Sequence, residues 1–176
     1  MKNLDPTGLK RLHREWRRKT PQRLSLILDI VQTPYNVGTI IRTSAALGVD
    51  HLWLVGATES PSHNKTNKTA LGTQRYVTWT VVEEPDEAVA AAKSDGYAVV
   101  GIELADEALP LHELDLAADV CLVVGHEDRG LSKVTLAACD SVGYIPQVGK
   151  VGSLNVGVAA SIAIAEARRQ GWCAAD

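Results

Sequence analysis

The segment IPQVGKVGSLNVGVAA, residues 145–160, decides the fold of this chain because it places a glycine-rich loop directly before an alanine-rich helix. Glycines at 149 and 152 allow a backbone to pass close to a ligand or to another segment of the chain. Ser153 or Asn155 can cap the helix, whose first amide groups then face the loop. The segment therefore predicts a small-molecule pocket that is lined mainly by main-chain atoms.

Size and composition restrict the class of protein. The 176 residues are enough for one domain with a substantial core, and no apolar run approaches the ~20 residues that span a bilayer. The basic N-terminus has no apolar stretch behind it, so it is not expected to be a signal peptide. The three cysteines form no CxxC pair and predict neither a disulfide framework nor a zinc site. We expect a cytoplasmic protein in which Cys121 is a small buried residue.

The net charge of −3 conceals an uneven distribution of charge. Residues 1–23 carry eight Lys or Arg against two acidic residues, a net +6, so the remainder carries −9. Asp5-Pro6 predicts the start of a helix that extends to about Lys19. Its basic side chains are as consistent with contacts to phosphate groups as with an ordinary solvated surface. The candidate phosphate-binding residues of this helix are Lys10, Arg11, Arg14, Arg17 and Arg18.

The rest of the chain alternates predicted strands with predicted helices. Strands are predicted at 24–31, 51–55, 76–82, 97–104, 120–124 and 141–145. Helices are predicted at 36–47, 85–93, 131–139 and 153–170, with Gly171 as the stop of the last one, and residues 57–69 are predicted to form a polar loop. This alternation indicates an α/β domain with a parallel sheet, at 24–172, preceded by a basic extension at 1–23.

Polar loops follow three of the predicted strands, at 32–38, 125–132 and 145–153. Ligands of open α/β sheets collect at the carboxyl ends of the strands, so these loops are the candidate site. The sequence contains neither a GxxxxGK[ST] phosphate loop nor a GxGxxG after the first strand, and no GxSxG nucleophile elbow. The five histidines are scattered, so metal ligation and Ser/His hydrolysis are not supported, and no metal is expected.

Three segments in register resemble the signature motifs of the SPOUT superfamily, in its SpoU (TrmH-like) branch. The first is NVGTIIRTSAALG at 36–48, the second is LVVGHEDRGLS at 122–132, and the third is the segment at 145–160. The resemblance covers about 24–170. It implies S-adenosylmethionine-dependent methylation of RNA at the ribose 2′-hydroxyl by a homodimer whose active sites lie near the subunit interface. It also implies a C-terminal deep trefoil knot, whereas pattern alone would predict an unknotted sheet.

The resemblance also assigns roles to individual residues. The implied catalytic residues are Asn36, Arg42, Glu127, Ser153 and Asn155. The implied cofactor-binding residues, which act mainly through their main chain, are Val124, Gly125, Ile145, Pro146, Ser153 and Leu154. A guanidinium stays protonated in proteins, so we expect Arg42 to bind the neighbouring RNA phosphate and stabilise the developing alkoxide, although the family assignment makes it the base. Asn36 and Glu127 are expected to orient either Arg42 or the ribose.

Each assignment has a structural alternative. Asn36 could simply cap its helix, Arg42 could be an ordinary surface arginine, and Ser153 could be a plain helix cap. Lys65, Lys68 and Arg75 could be solvated surface or additional RNA contacts. His126, Gln147 and Gly157 depart from the residues most frequent in the family, which affects the shape of the cofactor pocket.

Two other functions remain open for the whole chain. One is a non-catalytic RNA-binding protein on the same fold, and the other is a Rossmann-like enzyme that acts on small metabolites. Among RNA substrates, tRNA is favoured over rRNA because the short basic helix is the one element appended to the predicted domain.

Overall fold

The structure, a computed structural model, describes residues 2–175. In chain order its strands are β1 (Leu24–Asp29), β2 (His51–Val55), β3 (Thr78–Val82), β4 (Ala98–Ile102), β5 (Leu109–Pro110), β6 (Val120–Val124) and β7 (Ser141–Tyr144). Its helices are α1 (Pro6–Arg18), α2 (Pro34–Leu47), α3 (Asn64–Ala70), α4 (Pro85–Ser94), α5 (Lys133–Ala138) and α6 (Val156–Ala174).

The strands form one sheet in the order β3-β2-β1-β6-β4-β7-β5, and every pairing is parallel. The central strands β1 and β6 are buried over their whole length, as the continuous apolar sequence of β6 predicts. The predicted α/β domain with a parallel sheet is therefore confirmed.

Different helices cover the two faces of the sheet, because successive side chains of a strand point to opposite sides. Leu26 and Leu122 belong to a core cluster with residues of α2 and α6. Ile27 and Val123 belong to a second cluster with residues of α4 and α5. The carboxyl ends of the strands are left uncovered by these layers, which is where the candidate site lies.

Helix α1 packs on this body through an aromatic pair. Asp5 caps α1 by accepting a hydrogen bond of 2.6 Å from the amide of Gly8, as predicted. No side chain of α1 is buried. Trp16 packs on Trp172 of α6 with ring centroids 4.8 Å apart, and the Trp172 indole donates a hydrogen bond of 2.7 Å to the hydroxyl of Thr20. Within residues 2–175, no helix has both the length and the apolar character needed to cross a membrane.

The polar loop predicted at 57–69 is wrong, because α3 occupies its second half. Its sequence NKTNKTA has no apolar period, so the pattern gave no sign of a helix. Thr66 and Ala70 are nevertheless fully buried against α2. The two backbones approach closely at Gly38, where a Cβ atom would lie 2.6 Å from the Cβ of Thr69.

The predicted limits of the last helix are also wrong. Helix α6 begins at Val156 with Asn155 as its cap, and it continues through Gly171 to Ala174. A Cβ at Gly171 would lie 2.5 Å from the Oε1 atom of Gln22, so this glycine serves close packing and does not end the helix. Strand β5 was not predicted, since two residues are too few to show a period.

Candidate active site

A cavity of about 440 Å³ opens where β4, β6 and β7 end side by side. Residues that follow each of these strands line it, together with the beginning of α6. Of the predicted cofactor-binding residues, the lining includes Val124, Gly125, Ile145, Ser153 and Leu154. Pro146 is exposed and does not line the cavity.

The carboxylate of Glu127 is held by N–H groups from the segment that follows β1. It accepts hydrogen bonds from the main-chain nitrogens of Thr33, at 2.9 Å, and Gln32, at 3.2 Å, and from the side-chain amide of Asn36, at 2.9 Å. Partial burial acts to raise the pKa of Glu127, but the hydrogen bonds from Asn36 and Thr33 outweigh it and lower the pKa to about 2. The ionised carboxylate of Glu127 therefore connects the loop that follows β1 to the loop that follows β6.

Asn36 connects Glu127 to the C-terminal segment. It is 3% exposed, and its Oδ1 atom accepts a hydrogen bond of 2.9 Å from the amide of Asn155. The Oδ1 atom of Asn155 in turn accepts from the amides of Gly157, at 3.0 Å, and Val158, at 3.2 Å, and so caps α6. A continuous chain of hydrogen bonds therefore runs from Glu127 through Asn36 to Asn155 and joins all three loop segments.

Two of the structural alternatives are wrong. Asn36 does not cap α2, because the cap position is Thr33 and the Asn36 side chain is engaged with Glu127 and Asn155. Ser153 does not cap α6, because Asn155 does so. Ser153 lines the cavity, and none of the hydrogen bonds among residues 2–175 involves its side chain.

Close backbone contact occurs at Gly125 and not at the glycines that the sequence suggested. Among residues 2–175, a Cβ at Gly149 or Gly152 would meet nothing within 4 Å, so close packing does not require a glycine at either position. A Cβ at Gly125, by contrast, would overlap the main chain of Gly130 and lie 2.5 Å from the Leu131 nitrogen. The loop after β6 folds back on itself there, and a side chain at 125 would occupy the space that this fold requires.

Glu103, which follows β4, is a site residue that sequence reasoning missed. It lines the cavity, and its carboxylate accepts hydrogen bonds from the amides of Leu104, at 3.0 Å, and Leu131, at 2.8 Å. A Cβ at Gly130, whose φ is +65°, would collide with this carboxylate. Glu103 therefore braces the far end of the loop that carries Glu127. The predicted strand at 97–104 included Glu103, whereas β4 ends at Ile102 and leaves Glu103 at the same edge of the sheet as the end of β6.

Arg42 lies apart from the hydrogen-bonded chain. It is exposed on α2 and lines a second hollow, of about 680 Å³, between α2 and α3. Within the part of the chain that the structure describes, Arg42 forms no ion pair, and neither Asn36 nor Glu127 is hydrogen-bonded to it. The structure thus brings four of the five predicted catalytic residues to the cavity edge and leaves the fifth beside it.

The five candidate RNA-binding cations of α1 are all exposed. At 100° per residue they fall within an arc of about 120°, opposite Leu9, Leu12 and Trp16. Lys65, Lys68 and Arg75 are also exposed. Among residues 2–175, no three His, Cys, Asp or Glu side chains are placed so that they could hold a metal ion.

Comparison with known proteins gives a consistent match. The model of the SpoU rRNA Methylase family matches residues 23–165. The chain is 40% identical over 151 residues to a 23S rRNA (guanosine-2'-O-)-methyltransferase of Acinetobacter baylyi, a match that covers 85% of this chain and 60% of the relative. It is 33% identical over 168 residues to the tRNA (guanosine(18)-2'-O)-methyltransferase of Escherichia coli K12, covering 95% of this chain and 72% of the relative. The chain thus spans less than two thirds of the Acinetobacter protein.

Solved structures give the same match at the level of the fold. The AdoMet-bound rRNA methyltransferase from Sinorhizobium meliloti superposes with a TM-score of 0.79 at 30% identity. That superposition covers 88% of this chain and 59% of the other.

Proposed function

The chain belongs to the SpoU rRNA Methylase family, and we propose on that basis that it methylates a ribose 2′-hydroxyl of RNA, with S-adenosylmethionine as the methyl donor. The observation that carries the proposal is the hydrogen-bonded chain from Glu127 through Asn36 to Asn155 at the edge of the cavity. The names of the Acinetobacter and E. coli relatives, both 2'-O-methyltransferases of RNA, support the reaction class.

The cavity suits S-adenosylmethionine in charge and in polarity. Its lining includes three carboxylates, those of Glu103, Glu127 and Asp128, which match the sulfonium and ammonium groups of this cofactor. The guanidinium of Arg129, which lines the same cavity, matches the carboxylate of the cofactor. Apolar side chains such as Ile102 and Leu154 line the same cavity and suit a purine ring. When bound, S-adenosylmethionine supplies a methyl group that the positive sulfur has already activated. The Sinorhizobium structure, described as AdoMet-bound, supports this choice.

The residues of the chain then have to align the acceptor ribose and remove its proton. Asn36 and Asn155 are fixed by each other and by Glu127, so they offer a rigid polar edge against which a ribose can be held. Arg42, exposed on the next turns of α2, is placed to bind the adjacent phosphate. A guanidinium there stabilises the alkoxide as the hydroxyl loses its proton to solvent water at this exposed edge, without itself accepting that proton. Ser153 completes the polar wall.

We also infer a trefoil knot and a homodimer, as in the family pattern. The fold-back of the loop at Gly125 against Gly130 and Leu131 is local to that loop, so the inferred knot rests on the family pattern alone. Val158 and Ile162 of α6 are 46% and 39% exposed, which supports a second subunit packed on that helix. The position of Arg42 outside the hydrogen-bonded chain is consistent with a site that is completed near such an interface.

Between the RNA classes we favour tRNA, because the short basic helix α1 is the element that accompanies the domain. Coverage by relatives does not separate the classes, since the match to the E. coli tRNA enzyme covers 95% of this chain and the match to a 23S rRNA enzyme of Coxiella burnetii covers 97%. The cationic arc of α1 supports contact with a phosphate backbone in either case.

The test is the transfer of tritium from methyl-labelled S-adenosylmethionine to unmodified total RNA, followed by size fractionation. Label is expected in the tRNA fraction with the native chain and not with Arg42→Ala. Binding of the cofactor, measured by calorimetry, is expected to survive this substitution because Arg42 does not line the cavity. Label in rRNA would keep the reaction and overturn the choice of tRNA. A chain that binds no S-adenosylmethionine would contradict the proposal.

A further inference from the structure

The hollow between α2 and α3 is a concave surface separate from the cavity, and its charge differs from that of the cavity. Two cations, Arg42 and Lys68, line it, and its lining contains no carboxylate. Within residues 2–175 neither cation forms an ion pair. The chain outside residues 1–23 carries a net charge of −9. Two cations without ion-pair partners in one hollow therefore make this hollow an exception to the negative charge of the rest of the domain.

An aromatic and an apolar side chain stand beside these cations. Tyr35 is 63% exposed and Leu71 is 65% exposed, and both line the hollow. Leu71 has φ +53° as the C-cap residue of α3, a position that glycine more often occupies. The end of α3 thus holds an apolar side chain in solvent at the hollow. This combination of exposed aromatic, exposed apolar and unpaired cationic groups matches a nucleotide, which has a flat base and an anionic phosphate.

The hollow and the cavity lie on either side of the beginning of α6. Thr39 and Thr43 of α2 line the hollow. A Cβ at Gly157 would lie 3.3 Å from Thr39, and the Thr43 hydroxyl lies 2.9 Å from that of Ser161. The cavity is lined by other residues of the same turns of α6, including Val156. Tyr35 also directly precedes Asn36, so one end of the hollow adjoins the hydrogen-bonded chain at the cavity edge.

We propose that this hollow binds the RNA nucleotide next to the methylated one, with its base stacked on Tyr35 and its phosphate held by Lys68. The inference rests on the proposed function, since it takes the acceptor ribose to lie at Asn36 and Asn155. The acidic cavity then holds the cationic cofactor, and the basic hollow holds the anionic substrate. Close packing of α3 on Gly38 fixes Lys68 at the rim.

The experiment measures the affinity of the full chain for a fluorescein-labelled, unmodified tRNA transcript by anisotropy, over a series of KCl concentrations. Tyr35→Ala is expected to weaken binding about tenfold, and Tyr35→Phe to restore it, because stacking needs the ring and not the hydroxyl. Lys68→Ala is expected to reduce the slope of log affinity against log salt by about one unit. Lys65→Ala is the matched control, since Lys65 is exposed on the same helix but does not line the hollow.

The outcomes separate this inference from the function on which it rests. Calorimetry is expected to show native affinity for S-adenosylmethionine in all four variants, because none of the changed residues lines the cavity. A native chain that binds cofactor and RNA, with Tyr35→Ala and Lys68→Ala no weaker than Lys65→Ala, would overturn the hollow alone. A native chain that binds neither ligand would overturn the proposed function and the hollow with it. If Tyr35→Ala abolishes self-association in sedimentation and leaves RNA affinity intact, the hollow accommodates a second copy and the inference fails.

Discussion

Glu127 illustrates how one side chain can stabilise the fold and shape the site together. Its carboxylate accepts hydrogen bonds from three N–H groups, and its pKa is lowered to about 2. A lowered folded-state pKa contributes stability above the unfolded value, near 4.3, and that contribution is lost as the pH falls toward 2. Glu127→Gln is expected to cost about 1–2 kcal/mol at pH 7, since hydrogen bonds to a charged group are replaced.

Urea denaturation over a pH series tests this prediction. The difference in unfolding free energy between the native chain and Glu127→Gln should shrink as the pH falls from neutral toward 2. A difference that stays constant over this range would show that the carboxylate is not ionised and hydrogen-bonded in the folded state.

Glu103 is expected to act as a positioning residue for the cofactor. Its carboxylate connects the loop at Leu131 to the end of β4. A glutamine at this position would direct its NH₂ group toward one of the two main-chain N–H groups that the carboxylate accepts from. Glu103→Gln is therefore expected to weaken S-adenosylmethionine binding about tenfold by disturbing two charge-assisted hydrogen bonds. Asp106→Asn, an exposed acid of the same loop outside the cavity lining, is the matched control. Equal affinities of the two variants for S-adenosylmethionine, measured by calorimetry, would show that Glu103 does not position the cofactor.

The loop after β6 follows a backbone path that leaves no room for a side chain at position 125. Gly125→Ala is expected to destabilise the chain by about 2–3 kcal/mol, because the methyl group would overlap the main chain of Gly130. Gly149→Ala meets open space and is expected to change stability by less than about 0.5 kcal/mol. Chemical denaturation of both variants checks the pair, and a neutral Gly125→Ala would contradict the fold-back of this loop.

Helix α1 is expected to contribute RNA affinity and little stability. Its side chains are unburied, and its cations share one arc. The triple variant Arg11→Ala, Arg14→Ala, Arg18→Ala should reduce the slope of log RNA affinity against log salt by about two to three units and leave the thermal midpoint near native. Lys93→Ala controls for the loss of a cation, since Lys93 lies on α4, across the sheet from α6, and pairs with Asp140. An unchanged slope would show that α1 does not contact RNA.

The sequence predicted the elements that have a clear period and missed those that do not. The strands at 51–55 and 120–124 match in extent, since each is a short apolar run between polar residues. Helix α3 was missed because its burial comes from Thr66, Ala70 and the absence of a side chain at Gly38, none of which produces an apolar stripe. Glu103 was missed because strand order, which brings β4 next to β6, is not readable from one sequence.

The three motif loops were predicted to meet, and their hydrogen-bonded connection through Asn36 was not. Chain positions 36, 127 and 155 are far apart, and only the fold shows that one amide bridges a carboxylate and a second amide. Residue spacing also could not predict that Arg42 lies apart from these hydrogen bonds, because the position of Arg42 depends on which face of α2 packs against α6.

Arg168 links the C-terminal helix to the rest of the molecule. It is 2% exposed, and its guanidinium donates hydrogen bonds to the carbonyl oxygens of Gln22, at 2.7 Å, Leu47, at 2.8 Å, and Gly48. Burial lowers the pKa of this guanidinium. These hydrogen bonds connect α6 to the start of β1 and to the end of α2. They fix the C-terminal half of α6, and the rigid helix carries this constraint to its beginning, where the site lies.

Arg168→Met is therefore expected to destabilise the chain by about 3 kcal/mol, because it leaves buried carbonyl groups without donors. Arg169→Met is the adjacent control. Arg169 is exposed and pairs with Glu166 at 2.7 Å, and its loss should cost under about 1 kcal/mol. Equal unfolding free energies for the two variants in urea would contradict the role of Arg168.

The most direct test of the account is the chemical identity of the methylated product. RNA treated with the chain and methyl-labelled S-adenosylmethionine is digested to nucleosides, which are separated and identified by mass spectrometry. We predict that the label resides on the 2′-oxygen of a ribose and that Asn36→Ala and Arg42→Ala both abolish it. Label on a base, or no label from a chain that binds both S-adenosylmethionine and RNA, would contradict the claim that the three loops form a ribose 2′-O-methyltransferase site.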